Sequence, residues 1–216
     1  MKKWSMTLVL LFCVMCLFAQ SLFDLVITGT PEQVQAAINA GTQVNDSDTL
    51  GQTPLMLAAE CNENPDVITT LLNAGAKLDD RKNEYSKTTP LMYAASSNRN
   101  PDVITTLLNA GAKLDDRGKD VKTLLMYAAW FNENPAVITT LLNAGANVND
   151  RDTFGMTPLM YAASGNENPD VITVLLNAGA DAKAKSIEGK TAFDYAQDNP
   201  KIKGTRSYWD LDNARF

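Results

Sequence analysis

The chain has 216 residues, 45% of them apolar and 20% charged, so it can bury a sizeable core and lacks the composition of a disordered chain. Its formal charge of −6 argues against nucleic acid as a partner, because gripping phosphates takes clustered Lys and Arg. Histidine is absent, which removes the commonest general acid/base and the commonest zinc ligand together.

The chain opens with "MKKWSMTLVLLFCVMCLFAQS", in which Lys2 and Lys3 precede an uncharged apolar run of 14 residues, Met6 to Ala19. A spanning helix needs about 20 apolar residues, so this run is short for one and fits an export signal at residues 1–19, cleaved after Ala19. Leu17 stands where a small residue is usual before cleavage, which leaves an uncleaved anchor as the alternative. Cys13 and Cys16 follow the bulky Phe12 and Met15, which disfavours lipid attachment. The mature chain is expected in the periplasm or outside the cell, without membrane insertion and as a monomer. Removal of the segment makes the charge −8 and leaves Cys61 as the remaining cysteine, so packing rather than an internal disulfide holds the fold.

Downstream the sequence repeats itself. Thr53, Thr89, Thr123, Thr157 and Thr191 begin equivalent units at spacings of 36, 34, 34 and 34 residues, a period that signals a solenoid. Each full unit holds two apolar segments, such as "TPLMYAASGN" (157–166) and "NPDVITVLLNAGA" (168–180), and both predict short helices. Thr157 and Asn168 serve as N-caps with Pro158 and Pro169 behind them, Asp170 sits in a first turn, and Gly179 is placed for the left-handed C-terminal turn. In the second helix Val171, Ile172, Leu175 and Leu176 form one stripe. Neither helix buries its stripe alone, so neighbouring units must stack.

The run "DTFGMTPLMYAASGN…DVITVLLNAGADAKAK" resembles the ankyrin-repeat family, whose pattern is D-x-x-G-x-T-P-L-H-x-A-A-x-x-G followed by E-I-V-x-L-L-L-x-x-G-A-D-V-N-A. The resemblance covers residues 48–196 and reaches back through an atypical first unit (22–46). It implies an all-α solenoid of stacked helix-turn-helix units with β-hairpin-like connecting loops. The domain spans 20–216, with an N-terminal cap (20–47), full repeats at 48–80, 81–116, 117–150 and 151–184, and a C-terminal cap and tail (185–216). In the tail, Thr205 is placed to cap a helix whose Tyr208, Trp209 and Leu211 cover the last repeat.

Four departures from the family pattern stand out. Met56, Met92, Met126 and Met160 replace the family's His, which exchanges side-chain hydrogen bonding for adaptable apolar packing. The "NENP" turn is one residue longer than the family norm, supplying a separate cap and proline. The third unit's "DDRKNEYSKTTP" carries two extra residues and lacks the hairpin Gly. The fourth unit has Leu124 in place of the helix-starting Pro and Val121 in place of the turning Gly.

Few residues carry chemistry. Gly189-Lys190-Thr191 resembles the end of a phosphate-binding loop, but Ala184 stands where its earlier Gly is required. The acidic residues Asp79, Asp80, Asp115, Asp116, Asp150 and Asp152 lack the alternating oxygen ligands of a calcium loop and read as solvated turn carboxylates. Cys61 has no cation or helix terminus to activate it. No catalytic residue, metal or cofactor is expected.

The face of the first helices is informative. Leu55, Ala58 and Ala59 face the helix pair, while the position two after Leu55 lies about 200° away, on the opposite side. That position is Leu57, Tyr93, Tyr127, Tyr161 and Tyr195, a column with a spacing of roughly 10 Å. In the fourth unit alone Trp130 and Phe131 flank it, predicting an aromatic cluster of Tyr127, Trp130 and Phe131 that either meets a partner or packs over a neighbouring repeat. The family resemblance implies that this side lines the concave groove and that partners also touch the hairpin tips, here Leu50, Tyr85, Lys119, Asp120, Phe154 and Ile187.

The expected function is non-catalytic binding of another protein, of unknown identity, through the groove and tips, with a basic patch on the partner favoured by the acidic surface. The alternatives are a small-molecule-binding protein or enzyme using the Tyr-lined groove, or a structural stabiliser of an envelope or exported protein.

Overall fold

The computed structural model describes residues 21–81 and 87–216. The segment expected to direct export and the tip residue Tyr85 lie outside those residues. Within them the chain forms helix pairs in succession: α1 (Leu22–Thr28) and α2 (Pro31–Asn39), α3 (Pro54–Cys61) and α4 (Pro65–Asn73), α5 (Pro90–Ser97) and α6 (Pro101–Asn109). There follow α7 (Leu124–Phe131) and α8 (Pro135–Asn143), α9 (Pro158–Gly165) and α10 (Pro169–Asn177), α11 (Ala192–Ala196) and α12 (Arg206–Ala214). The odd-numbered helices stack side by side in one row and the even-numbered in another. The expected all-α solenoid is what forms, and no strand occurs among the described residues. No described helix is long and apolar enough to cross a membrane.

Local chemistry starts each helix where the sequence indicates. The hydroxyls of Thr53, Thr89, Thr123, Thr157 and Thr191 accept from backbone N–H groups in the first turns of their helices. Thr123 does so although Leu124 has replaced the proline behind it. The substituting methionines are buried, as adaptable packing requires, but two also accept hydrogen bonds. The N–H groups of Thr53 and Thr123 donate to the Sδ atoms of Met56 and Met126, at 3.5 and 3.4 Å. The thioether thus keeps some side-chain hydrogen bonding at this position, contrary to the expectation of packing alone.

The core lies between the two rows. Leu55, Ala58 and Ala59 of α3 and their counterparts in α5, α7 and α9 are fully enclosed, as are Val67, Ile68 and Leu71 of α4 and theirs. Each such large aliphatic side chain contributes about 1.5–3 kcal/mol on burial. The alanines let adjacent first helices approach closely. At the C-terminal end Tyr208 and Leu211 of α12 cover the last repeat, with the Tyr208 ring tilted against Phe193 at 4.8 Å. Trp209 does not share in this. It is 55% exposed, because one residue along a helix from a buried Tyr points about 100° away.

A ladder of buried asparagines ties the units together. The Nδ2 of Asn132 donates to the carbonyls of Ala95 and Asn98 in the preceding repeat, at 3.1 and 2.8 Å, while its Oδ1 accepts from the Asn134 N–H. Asn62, Asn98, Asn166 and Asn199 do the same in their own units. The extra residue of the "NENP" turn therefore does more than supply a second cap: its first Asn satisfies the C-terminal carbonyls of the preceding first helix, which would otherwise be buried without partners. Around the outside, Arg81–Asp116 and Arg117–Asp150 each join the first residue of a repeat to its last, both at 2.9 Å. Asp116 and Asp150, expected as solvated turn carboxylates, are thus ion-pair partners across the ends of their repeats.

Replacing Asn132 with Ala strands two carbonyls and one N–H in the middle of the stack, and is expected to cost about 2–4 kcal/mol. Urea denaturation of Asn132→Ala beside Asn143→Ala, a change at the exposed end of α8, checks this; equal midpoints would refute the ladder's role.

Candidate protein-binding surface

The connecting loops are tight turns closed by a backbone hydrogen bond: Asp48 N–H to Gln52 O, Asp152 N–H to Met156 O and Ser186 N–H to Lys190 O, at 2.9–3.1 Å. Adjacent tips are also joined, Thr153 N–H to Asp120 O at 3.1 Å and Ile187 N–H to Phe154 O at 3.0 Å. Among the tips described in full, the fourth unit's is irregular. Without a glycine, Asp120 and Val121 take φ of +57° and +64°, the left-handed region that a β-branched side chain resists.

The tyrosine column brace this loop row more than they display themselves. The Tyr161 hydroxyl donates to Asp152 Oδ2 at 2.6 Å, and Tyr195 and Ser186 join hydroxyls at 3.0 Å, so each phenol pins the tip of its own repeat. Tyr127 has no such side chain to reach, because residue 118 is Gly; its ring fills the space a Cβ there would need, and it hydrogen-bonds with the Lys119 backbone. Burial, then the bond with the Asp152 carboxylate, pushes the Tyr161 phenol far above its ordinary range. Burial likewise raises Tyr127. Tyr161 is only 3% exposed, so the expectation that it meets a partner is corrected: Trp130 roofs it. Tyr93, Tyr127 and Tyr195 are half-buried.

The aromatic cluster is real but its membership differs from the expected one. Trp130 stacks on Phe131 at 4.9 Å and meets Tyr161 of the next repeat at 5.0 Å, while Tyr127 is drawn away toward the Gly118 loop. The indole edge lies on bare backbone at Gly165, in the space a Cβ would occupy. Lys122 completes the group, its Nζ 5.6 Å from the ring centres of both Trp130 and Tyr161 and 3.4 Å from Asp120 Oδ2. Trp130 thus packs on a neighbouring repeat, and Phe131 remains 57% exposed.

Beside Phe131, between α5 and α7, an open cleft of about 660 Å³ is walled by Tyr93, Tyr127 and Phe131, with Glu60 at one side. The tips carry further exposed apolar side chains: Leu50 at 64%, Phe154 at 46% and Ile187 at 72%. Lys119 and Asp120 stand on the strained tip. Cys61 is exposed, and partial burial followed by the Glu60 carboxylate raises its thiol above the ordinary value, the opposite of activation. Among the described residues no cluster of metal-ligating side chains occurs.

Three ankyrin sequence families match the chain: three-copy ankyrin repeats over residues 22–118, a single ankyrin repeat over 122–153, and many-copy ankyrin repeats over 141–196. The chain belongs to the ankyrin-repeat family. No curated protein matches it in sequence. Because 562 solved chains are similar, the ankyrin fold alone selects no particular partner. One of them belongs to the complex of a predatory endopeptidase from Bdellovibrio bacteriovorus with an immunity protein, at 29% identity and a TM-score of 0.70, with 90% of this chain and 98% of that chain covered. The repeats and this immunity-protein neighbour support a protein-binding module.

Lys122 and Gly118 carry no signal in the repeat pattern that marks their role, whereas Gly165 opposite the unique Trp130 is a readable small-for-large match. Replacing Val121 with Gly relieves the left-handed strain and is expected to stabilise the protein by about 1 kcal/mol, raising the melting temperature by roughly 2–4 °C. Thermal unfolding followed by circular dichroism measures it; a lowered melting temperature would show the tip is unstrained.

Proposed function

We propose that this ankyrin-repeat protein is a non-catalytic module that holds a partner protein against its first-helix groove and hairpin tips, in an exported compartment. One observation carries the reading: apart from Trp209 and Phe216 near the C-terminus, the exposed large apolar residues among those described are Leu50, Val121, Phe131, Phe154 and Ile187, all on the tips or the groove end of a first helix. The second helices turn Pro, Asp, Thr and Asn outward instead. Apolar anchors gathered on one side of a rigid stack bind with little ordering cost.

The neighbour bound to an endopeptidase supports a partner of the same kind, an exported peptidase whose activity this protein restrains in the cell that makes it. The phenols of Tyr127, Tyr161 and Tyr195 brace loops, which speaks against their use as groups of a catalytic site. Export rests on the charge and apolar pattern of residues 1–19.

Phe131→Ala removes an exposed anchor without touching the core. It is expected to weaken binding of the partner recovered by crosslinking at least tenfold, a typical loss for an interface anchor. Titration calorimetry with unchanged helicity as control decides; full affinity in the variant would remove the groove from the interface. Substituting Trp130 is a poorer test than the aromatic pattern suggests, since it also uncovers Tyr161. Cell fractionation with and without residues 1–19 addresses location: loss of the protein from the exported fraction on deletion is expected, and an unchanged distribution would refute export.

A further inference from the structure

We propose that the C-terminal end of the tip row receives a short segment of the partner protein, carrying a β-branched aliphatic residue, in the way an interior tip receives the next one. The inference rests on the tip surface proposed above and names the chemistry of what docks there. Within the row each tip is completed by its successor. The Phe154 carbonyl accepts from the Ile187 N–H at 3.0 Å, as Asp120 O does from Thr153 one joint earlier at 3.1 Å. The Ile187 side chain lies over the glycine of the same tip, its Cγ2 3.5 Å from where a Cβ on Gly155 would stand. Arg151 holds the other end of the incoming segment, donating from Nη2 to the Lys185 carbonyl.

The last tip carries the same three groups. In repeat register Lys185 takes the place of Arg151, Glu188 that of Phe154 and Gly189 that of Gly155. Its turn is closed in the same way, Ser186 N–H to Lys190 O at 2.9 Å against Asp152 N–H to Met156 O at 3.1 Å. Gly189 keeps the left-handed conformation of Gly155, φ +77° against +68°. Here, however, the joint is unfilled among the described residues. No backbone N–H reaches the Glu188 carbonyl, nothing lies within 4 Å of the Cβ position of Gly189, and Lys185 is exposed. The tail supplies no further tip, because α12 packs on α10 and α11.

A donor, an acceptor and a flat face thus stand in the order that Arg151, Phe154 and Gly155 use to hold Lys185-Ser186-Ile187. An open sheet edge takes up a strand by the same means, backbone bonds supplying affinity and side chains the choice of residue. The matching segment offers a carbonyl to Lys185 and, two residues on, an N–H to Glu188 and an aliphatic side chain to Gly189. The Ile187 side chain, 72% exposed, extends the apolar contact. A second copy stacked end to end would meet this place with α1, which has no tip before it among the described residues, so the fitting occupant is a different protein.

The test uses the full chain and two probes, acetyl-Ala-Ser-Ile-Gly-amide and its ester analogue in which oxygen replaces the Ile N–H, followed through the amide resonances of residues 187–189. The amide peptide is expected to shift these signals saturably and to bind at least about threefold more tightly than the ester, the effect of one hydrogen bond. Gly189→Asn tolerates the left-handed turn but puts a side chain on the flat face, and should abolish binding with helicity unchanged. Lys185→Met removes the donor and should weaken the peptide about threefold. Equal affinity for the two peptides, absence of a saturable shift, or binding that survives Gly189→Asn would overturn the inference. So would sedimentation showing a concentration-dependent dimer that Gly189→Asn abolishes, since a second copy would then fill the place. If the peptide fails to bind while Phe131→Ala still weakens the partner, the inference falls and the groove reading stands.

Discussion

The asparagine that opens each inter-helix turn is the contact on which this solenoid depends. Stacked short helices leave carbonyls at the C-terminal end of every first helix, and the next unit buries them where water cannot serve. One Asn side chain per joint, from Asn62 to Asn199, answers this with two donated hydrogen bonds backward and one accepted within its own turn. Apolar burial supplies most of the stability, but it is non-directional and tolerates sliding. The amide bonds set register, so the first helices, the tips and the side chains on them repeat at a fixed offset.

That offset explains why the fourth unit differs. Trp130 sits where Glu60, Ser96 and Ser164 sit in other units, and it fits because the next repeat offers Gly165 across the joint. Phe131 then stacks on the indole and is pushed outward, while Lys122 neutralises Asp120 under the same roof. The unglycinated tip at Asp120 and Val121 is tied to its neighbour by the Thr153 N–H. Local strain, a bulky aromatic pair and an exposed ring thus coincide in one repeat, next to the cleft. Strain of this kind persists where surrounding contacts over-determine it.

Much of this was legible beforehand, and the failures have physical reasons. Helix starts at Thr157 and Asn168, the turn at Gly179 and the covering role of Tyr208 and Leu211 follow from local rules that one segment suffices to apply. The exposed tips Leu50, Phe154 and Ile187 were also legible, since a turn between two helices has no core to enter. Most of what escaped depends on contacts 30 or more residues apart, and the rest on a missing side chain. Helical angles put Tyr161 on the groove side correctly, but angle alone does not reveal that Trp130 of the previous unit closes over it. The periodicity that pairs Tyr127 with Trp130 is likewise blind to Gly118, whose missing side chain draws the phenol elsewhere. The Asn ladder left a signal, recurrence of the first Asn even in the degenerate last unit, yet its meaning appears only when the preceding carbonyls are in place.

Each joint is also self-contained in a way that bears on how such a chain changes length. Every interior unit brings the amide that reaches back and the carbonyls that receive the next one, and two of them close an Arg–Asp pair between their own first and last residues. Duplicating a 34-residue unit in the interior therefore creates no unpaired donor or acceptor, and deleting one leaves its neighbours able to close on each other. The gene can lengthen or shorten the groove in whole repeats without redesigning either end, and the aromatic repeat can be moved along the row as a cassette only in company with the glycine that follows it.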